Sequence, residues 1–289
     1  MRTRSVMAPD PVGFHRVVYH EWGSTDNDRV LVCVHGLARN SRDFDELARA
    51  LSRDYRVVCP DMPGRGESDW LPPGVNYDIP RYISDMTTLL ARLDVDQVDW
   101  VGTSMGGIIG TCLAALPNSP IRSLVLNDVG CFIGKNALQR ISQYLGDHRF
   151  SSVAEVEQYM RTTYTAYKGL SDRQWKHLVK YGHRTVSDDQ YGLHYDPRIA
   201  DQSCEIQDQD IDLEPVWSQV SCPQMLIWGD QSDVLTADTV ARMQQLRPEL
   251  NLCRIEGMTH APSLMETEQI NAVQQWLRDN RIKNQGTTL

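Results

Sequence analysis

Long apolar runs are missing from this 289-residue chain, and no stretch has the length of a membrane span. The opening residues, Met1 to Pro9, contain no apolar segment, so we expect no secretory leader and a cytoplasmic location. Basic residues are in deficit: 29 Lys and Arg stand against 38 Asp and Glu, for a net charge of -9. That balance argues against nucleic acid or an anionic membrane surface as a partner, since both select a basic face. A small-molecule substrate is the expected partner; the sequence does not fix the oligomeric state. There is no C-x-x-C pair. The seven cysteines are scattered, with Cys33 and Cys59 inside apolar runs, which predicts buried reduced thiols rather than a disulfide or metal role. Phosphate loops, H-E-x-x-H and metal-ligand spacings are lacking, so neither cofactor nor metal is expected. Repeats and low-complexity segments are absent too.

What is present is an ordinary globular composition, 41% apolar and 23% charged, arranged in a pattern. Phe14 to Trp22 reads as a strand. Arg29 to His35 is a near-continuous apolar run, as expected of a strand buried on both faces. Tyr55 to Cys59, Val98 to Val101 and Ile121 to Leu126 read likewise. Between them lie stretches with helical spacing: Ser41 to Leu51, Pro80 to Leu93, and the small-residue-rich Ser104 to Leu116. Such alternation predicts a parallel sheet covered by helices. From about Cys131 to Val220 the pattern breaks, and only helical stretches such as Val153 to Tyr164 and Ser171 to Tyr181 are read. Strand and helix then alternate again through Pro223 to Trp228, Thr236 to Leu246, Leu252 to Ile255 and Glu266 to Arg281. One α/β core (residues 1–130 and 221–289) interrupted by a helical insertion (131–220) accounts for this. Two independent domains would leave the returning strands without a sheet.

Chemistry concentrates at the ends of those strands. Gly102-Thr103-Ser104-Met105-Gly106-Gly107 follows one strand and opens a helix. A sharp strand-to-helix turn exposes the Ser104 hydroxyl and needs tiny neighbours, hence the glycines. It also sets the Met105 N–H at a helix N-terminus, where negative charge is favoured. A serine hydroxyl is a weak nucleophile and needs a base. Of eight histidines only His260 lies between the last strand and the last helix. The base needs an acid to orient it. Asp233, in the loop after Met225 to Trp228, is the favoured acid. Asp128, after Ser123 to Leu126, is its rival, and Asp230 is a third candidate. A second oxyanion donor is expected from the Leu37 N–H in His35-Gly36-Leu37-Ala38, where His35 fixes the loop by hydrogen bonding. Asp61 to Ser68 reads as a turn under the next helix, or as the rim of the site. Arg39 and Asn40 read as a solvated turn, with contact to a substrate carboxylate or carbonyl as the alternative.

In this order, His35-Gly36, Asp61 to Ser68, the Gly102-to-Gly107 elbow, Asp233 and His260 resemble the α/β-hydrolase superfamily, in its branch with a helical cap. The likeness runs from about Phe14 to Arg281. It implies an eight-stranded, mostly parallel sheet, a lid formed by about 131–220, and cofactor-free acylation and hydrolysis at Ser104. Two departures stand out. The family's acid usually lies three residues after its loop glycine, whereas Asp233 is four after Gly229. Hydrolases of meta-cleavage C–C bonds often have Asn where this chain has Thr103. Ser104 argues against relatives that dehalogenate or open epoxides with an aspartate. The resemblance therefore implies a carboxylic-ester hydrolase for short acyl esters or oligomers of small hydroxy acids. C–C or thioester hydrolysis is an alternative, and a non-enzymatic ligand receptor on the same fold is a third.

Overall fold

A computed structural model describes residues 1–201 and 208–285. Cys204, within the expected insertion, and the last four residues of the expected core lie outside the described residues. The apolar run after Arg29 becomes β3 (Val30–Val34), with every residue buried. Val30, Val32 and Val34 face one side of the sheet; Leu31 and Cys33 face the other. Such a strand can only sit centrally, with helices on both faces.

Its neighbours are β4 (Arg56–Pro60) and β5 (Val98–Thr103), both parallel to it. Beyond β5 come β6 (Ile121–Asn127), β12 (Gln224–Gly229) and β13 (Asn251–Ile255), all parallel. Beyond β4 lie β2 (Gly13–Trp22) and β1 (Arg2–Asp10), both antiparallel. The order is β1-β2-β4-β3-β5-β6-β12-β13, the expected eight-stranded, mostly parallel sheet. β1 is an addition to the sequence reading: eight of its nine residues are at least partly exposed, so no buried periodicity marks it.

Helices α2 (Ile79–Arg92) and α3 (Met105–Ala114) cover one face, through Met86, Leu89 and Ile109. Asp78 caps α2 by accepting from the Arg81 N–H at 2.9 Å, and Pro80 sits in its first turn, where its missing N–H is harmless. Helices α1 (Asp45–Leu51) and α7 (Thr267–Gln285) cover the other face, through Leu47, Leu51, Val273 and Leu277. Among the described residues no helix is long and apolar enough to cross a membrane.

The stretch between β6 and β12 adds nothing to this sheet. It contains α4 (Lys135–Gln143), α5 (Val153–Thr163) and α6 (Asp172–Gly182). Helices alone are the expectation there; the structure also has two small sheets. β7 (Phe132–Ile133) pairs with β11 (Ile211–Asp212) where the stretch leaves and rejoins the core. β8 (Arg149–Phe150), β9 (His183–Ser187) and β10 (Gln190–Leu193) form the other. Two-residue strands are too short to carry an alternation signal.

Candidate active site

Strand β5 delivers Ser104 to its end. Ser104 has φ 50° and ψ -115°, a conformation costly for a residue with a side chain. The turn is tight because glycines let three backbones meet. A Cβ on Gly102 would lie 2.3 Å from the Gly106 carbonyl carbon, and one on Gly106 would lie 2.0 Å from the Val34 oxygen. The Ser104 N–H is held by the Asn127 carbonyl at 3.0 Å, which ties the elbow to β6.

The hydroxyl of Ser104 lies 3.0 Å from His260 Nε2. On the other side of the ring, His260 Nδ1 lies 2.7 Å from Asp128 Oδ2. A carboxylate can only accept, so Nδ1 carries the proton and Nε2 is free to accept from the serine. Asp128 is fully buried, and its other oxygen accepts from the Gly229 N–H at 2.8 Å. An imidazole held this way can take a proton from the hydroxyl as it attacks, and return it to a leaving group.

The expected acid is therefore corrected. Asp233 does not reach His260: its carboxylate forks onto the Arg140 guanidinium of α4, with Nη2 to Oδ1 at 2.9 Å, and its side chain is 46% exposed. Asp230 is also engaged elsewhere, by Arg254 and by the Gly257 N–H at 2.7 Å. Asp128, the rival in the sequence reading, is brought to the ring because β6 and β12 are neighbours. The Asp128 N–H binds the Ile227 carbonyl at 2.9 Å, which turns the end of β6 toward the histidine loop.

Gly36 and Leu37 lie beside the elbow; a Cβ on Gly36 would make ordinary contact with Ser104 Cβ, at 3.7 Å. His35 supports this loop in the expected way. Its Nδ1–H donates to the Gly36 carbonyl at 2.7 Å, and its Nε2 accepts from the Met62 N–H at 3.0 Å. Burial, joined by the nearby Arg65 and Arg39 charges, pushes its pKa down to about 3, so it stays neutral. The Asp61-to-Ser68 turn is a brace for the same loop. Asp61 accepts from the backbone of Ser41 and Glu67 at 2.8 and 2.9 Å.

Two residues that sequence reasoning passed over complete the frame. Arg65, fully buried, donates to the Leu37 carbonyl at 2.9 Å and to the Tyr82 hydroxyl at 2.7 Å, and approaches Met105 Sδ at 3.8 Å. Asn127 donates to Thr103 Oγ1 at 3.0 Å and to the Pro262 carbonyl at 2.8 Å, linking the elbow to the histidine loop. A polar pair, Asn127-Asp128, closing a buried strand was the signal available for the second. Arg39 and Asn40 are buried rather than solvated. Asn40 donates to the Tyr181 carbonyl at 2.8 Å, docking α6.

Two cavities open on Ser104. One, of about 440 Å³, runs past Leu37, Met105 and Ile108 between apolar side chains such as Ile133, Leu138 and Ile199. The other, about 60 Å³, lies on the side of His260, walled by Tyr144, Tyr164 and Tyr167, with Arg39 in its lining. The aromatic side chains of the stretch between β6 and β12 divide between packing and cavity wall. Trp175 and Tyr195 are buried in the core of the inserted stretch, and Tyr167 serves both as core and as wall. Among the described residues no group of three or more His, Cys, Asp or Glu side chains is arranged to hold a metal ion.

A mixed eight-stranded sheet with a serine elbow defines a class, and a family model of the alpha/beta hydrolase fold matches residues 29–267. The chain belongs to the α/β-hydrolase family and is a hydrolase of that fold. It is 42% identical over 274 residues to a 3-hydroxybutyrate-oligomer hydrolase of Cupriavidus necator, covering 92% of this chain and 94% of that one. A hydrolase structure from Rickettsia typhi superposes with a TM-score of 0.89 at 30% identity, over 96% of this chain and 99% of that one. An alpha/beta hydrolase from Novosphingobium aromaticivorans does so at 0.83 and 29% identity, over 96% and 98%.

Proposed function

We propose that this chain is a serine carboxylic-ester hydrolase whose substrates are short oligomers of a small hydroxy acid. The observation that carries the reading is the line of contacts from Ser104 Oγ to His260 Nε2 at 3.0 Å and from His260 Nδ1 to Asp128 at 2.7 Å, set at a strained elbow. Ser104 attacks the ester carbonyl and passes its proton to His260 Nε2. The imidazolium is stabilised by Asp128. Negative charge on the carbonyl oxygen is met by the backbone N–H groups of Met105 and Leu37. Collapse of the tetrahedral intermediate breaks the C–O bond, and His260 returns the proton to the leaving alcohol. Water, deprotonated by the same histidine, then hydrolyses the acyl-enzyme. The substrate class is supported by the 42% identity to the 3-hydroxybutyrate-oligomer hydrolase over nearly the whole length of both chains. Residues 131–220 act in this reading as a lid on a core of residues 1–130 and 221–289. The lid reading is supported by the wall that Ile133, Leu138, Tyr144 and Tyr164 build over Ser104.

A fluorophosphonate probe together with a panel of esters, thioesters and vinylogous diketones tests the reading. The protein is expected to be labelled and to turn over hydroxybutyrate oligomers and p-nitrophenyl butyrate. Ser104→Ala should abolish labelling and lower kcat by about a million-fold, the scale seen when a triad nucleophile is removed. Retained turnover in Ser104→Ala, or diketone cleavage with no ester activity, would contradict it.

A further inference from the structure

The two cavities at Ser104 are not equivalent, and the histidine tells them apart. In acyl transfer the base must return its proton to the leaving oxygen, so the leaving group has to lie on the imidazole side of the nucleophile. His260 lines the 60 Å³ cavity and not the 440 Å³ one. The larger cavity, beside the Met105 and Leu37 backbone, is then the acyl side. Its lining is apolar apart from a few groups at the start of α2, and its one carboxylate, Asp78, would repel an anion. The smaller cavity holds Arg39. Asp43 grips that guanidinium through Nε at 2.8 Å and Nη2 at 2.5 Å, leaving the Nη1 edge outside the fork. Tyr164 lies against it, with the guanidinium carbon 4.7 Å from the ring centre. A guanidinium oriented by one carboxylate and packed on an aromatic face is a rigid donor for a second.

From this we infer that Arg39 forms a carboxylate subsite on the leaving-group side, so that the enzyme removes hydroxy acids one at a time from the carboxyl end of an oligomer. The inference rests on the ester-hydrolase reading above. A linear hydroxy-acid oligomer has one free carboxylate, on the alcohol side of its last ester bond. With that group on Arg39, the last ester carbonyl meets Ser104 and the rest of the chain extends into the apolar cavity. The Ser104 Oγ–C bond forms and the ester C–O bond breaks. The serine proton passes through His260 to the departing hydroxyl, and the hydroxy acid leaves with its carboxylate unchanged. Holding the terminal carboxylate on Arg39 is what sets the cut at the terminal bond.

The test compares hydroxybutyrate trimer as the free acid with its methyl ester, and follows which unit of a carboxyl-end-labelled trimer appears first. Wild type should prefer the free acid by on the order of ten- to a hundredfold in kcat/KM, the scale of a charge-assisted hydrogen bond. It should release the labelled monomer first. The double variant Arg39→Gln/Asp43→Asn, which leaves no unpaired buried charge, should bring the preference down toward one, mainly through KM for the free acid. Equal rates on both wild-type substrates, or first release of the hydroxyl-end unit, overturn the subsite while leaving the ester-hydrolase reading intact. Failure to cleave either substrate, with no labelling of Ser104, overturns both. Because the wild-type comparison needs no variant, a double variant that fails to fold does not spare the inference.

Discussion

Ser104 holds its strained backbone because the residues around it leave no alternative. Gly106 must approach the β3 backbone closely, and a Cβ there would sit 2.0 Å from the Val34 oxygen. Gly106→Ala is therefore expected to destabilise the fold by about 1–3 kcal/mol or more, as overpacking does, and to weaken fluorophosphonate labelling. Thermal unfolding and labelling rate check both; a wild-type melting temperature with normal labelling would contradict the account of the elbow. The placement of Ser104 on a tight turn beside His260 was legible in the sequence because glycine spacing and chain order are themselves the signal. The carboxylate that meets the ring was not. Asp128 and Asp233 each follow a strand whose end faces the histidine loop. The choice between them depends on how β6 and β12 lie side by side and on the Arg140 side chain that claims Asp233. Neither the register between distant strands nor a partner on an inserted helix can be read from a single chain. Arg39 was misjudged for a related reason: a charged residue next to a turn looks solvated until the segment after α5 supplies Tyr164 and Tyr167.

Long elements with a clear period were read to within a few residues, as with α2 and β3, because burial on a defined face shapes their composition. β1 escaped since it lies at the sheet edge with little buried surface. What fastens it is partly one side chain. His15 on β2 sits between Asp10 at the end of β1 and Asp85 on α2, with a ring nitrogen 3.2 Å from each carboxylate. Burial pulls the His15 pKa down, but Asp85 and Asp10 outweigh it and leave it raised. A raised folded pKa means that the protonated ring stabilises the fold fully below about pH 6.5, the unfolded value. The contribution is lost as pH climbs through the raised folded value. The melting temperature of wild type should thus exceed that of His15→Gln by a margin that shrinks as pH rises above the unfolded value of about 6.5. A margin that stays constant or widens would show that the histidine is not charged in the folded protein.

At the scale of the whole molecule, the sheet order brings four strand ends to one edge, and the stretch between β6 and β12 closes over them. That stretch is tied to the core near the Gly36-Leu37 loop. The Gly66 N–H binds the His194 carbonyl at 3.1 Å, and the Asp196 N–H binds the Gly64 carbonyl at 2.7 Å. The turn that braces Leu37 thus also anchors the inserted stretch; in the proposed reading, lid and oxyanion donor share one support. The alternation of strand and helix announced this architecture, while the small sheets inside the cover did not show themselves, being built from strands of two to five residues. The claim on which the functional account turns is that Asp128, and not Asp233, orients His260 for attack by Ser104. The direct measurement is kcat on p-nitrophenyl butyrate for Asp128→Asn beside Asp233→Asn. We expect a loss of about ten-thousand-fold for Asp128→Asn, by analogy with a serine-protease triad, and a change of no more than a few-fold for Asp233→Asn. A large loss in Asp233→Asn with near-normal turnover in Asp128→Asn would contradict the account.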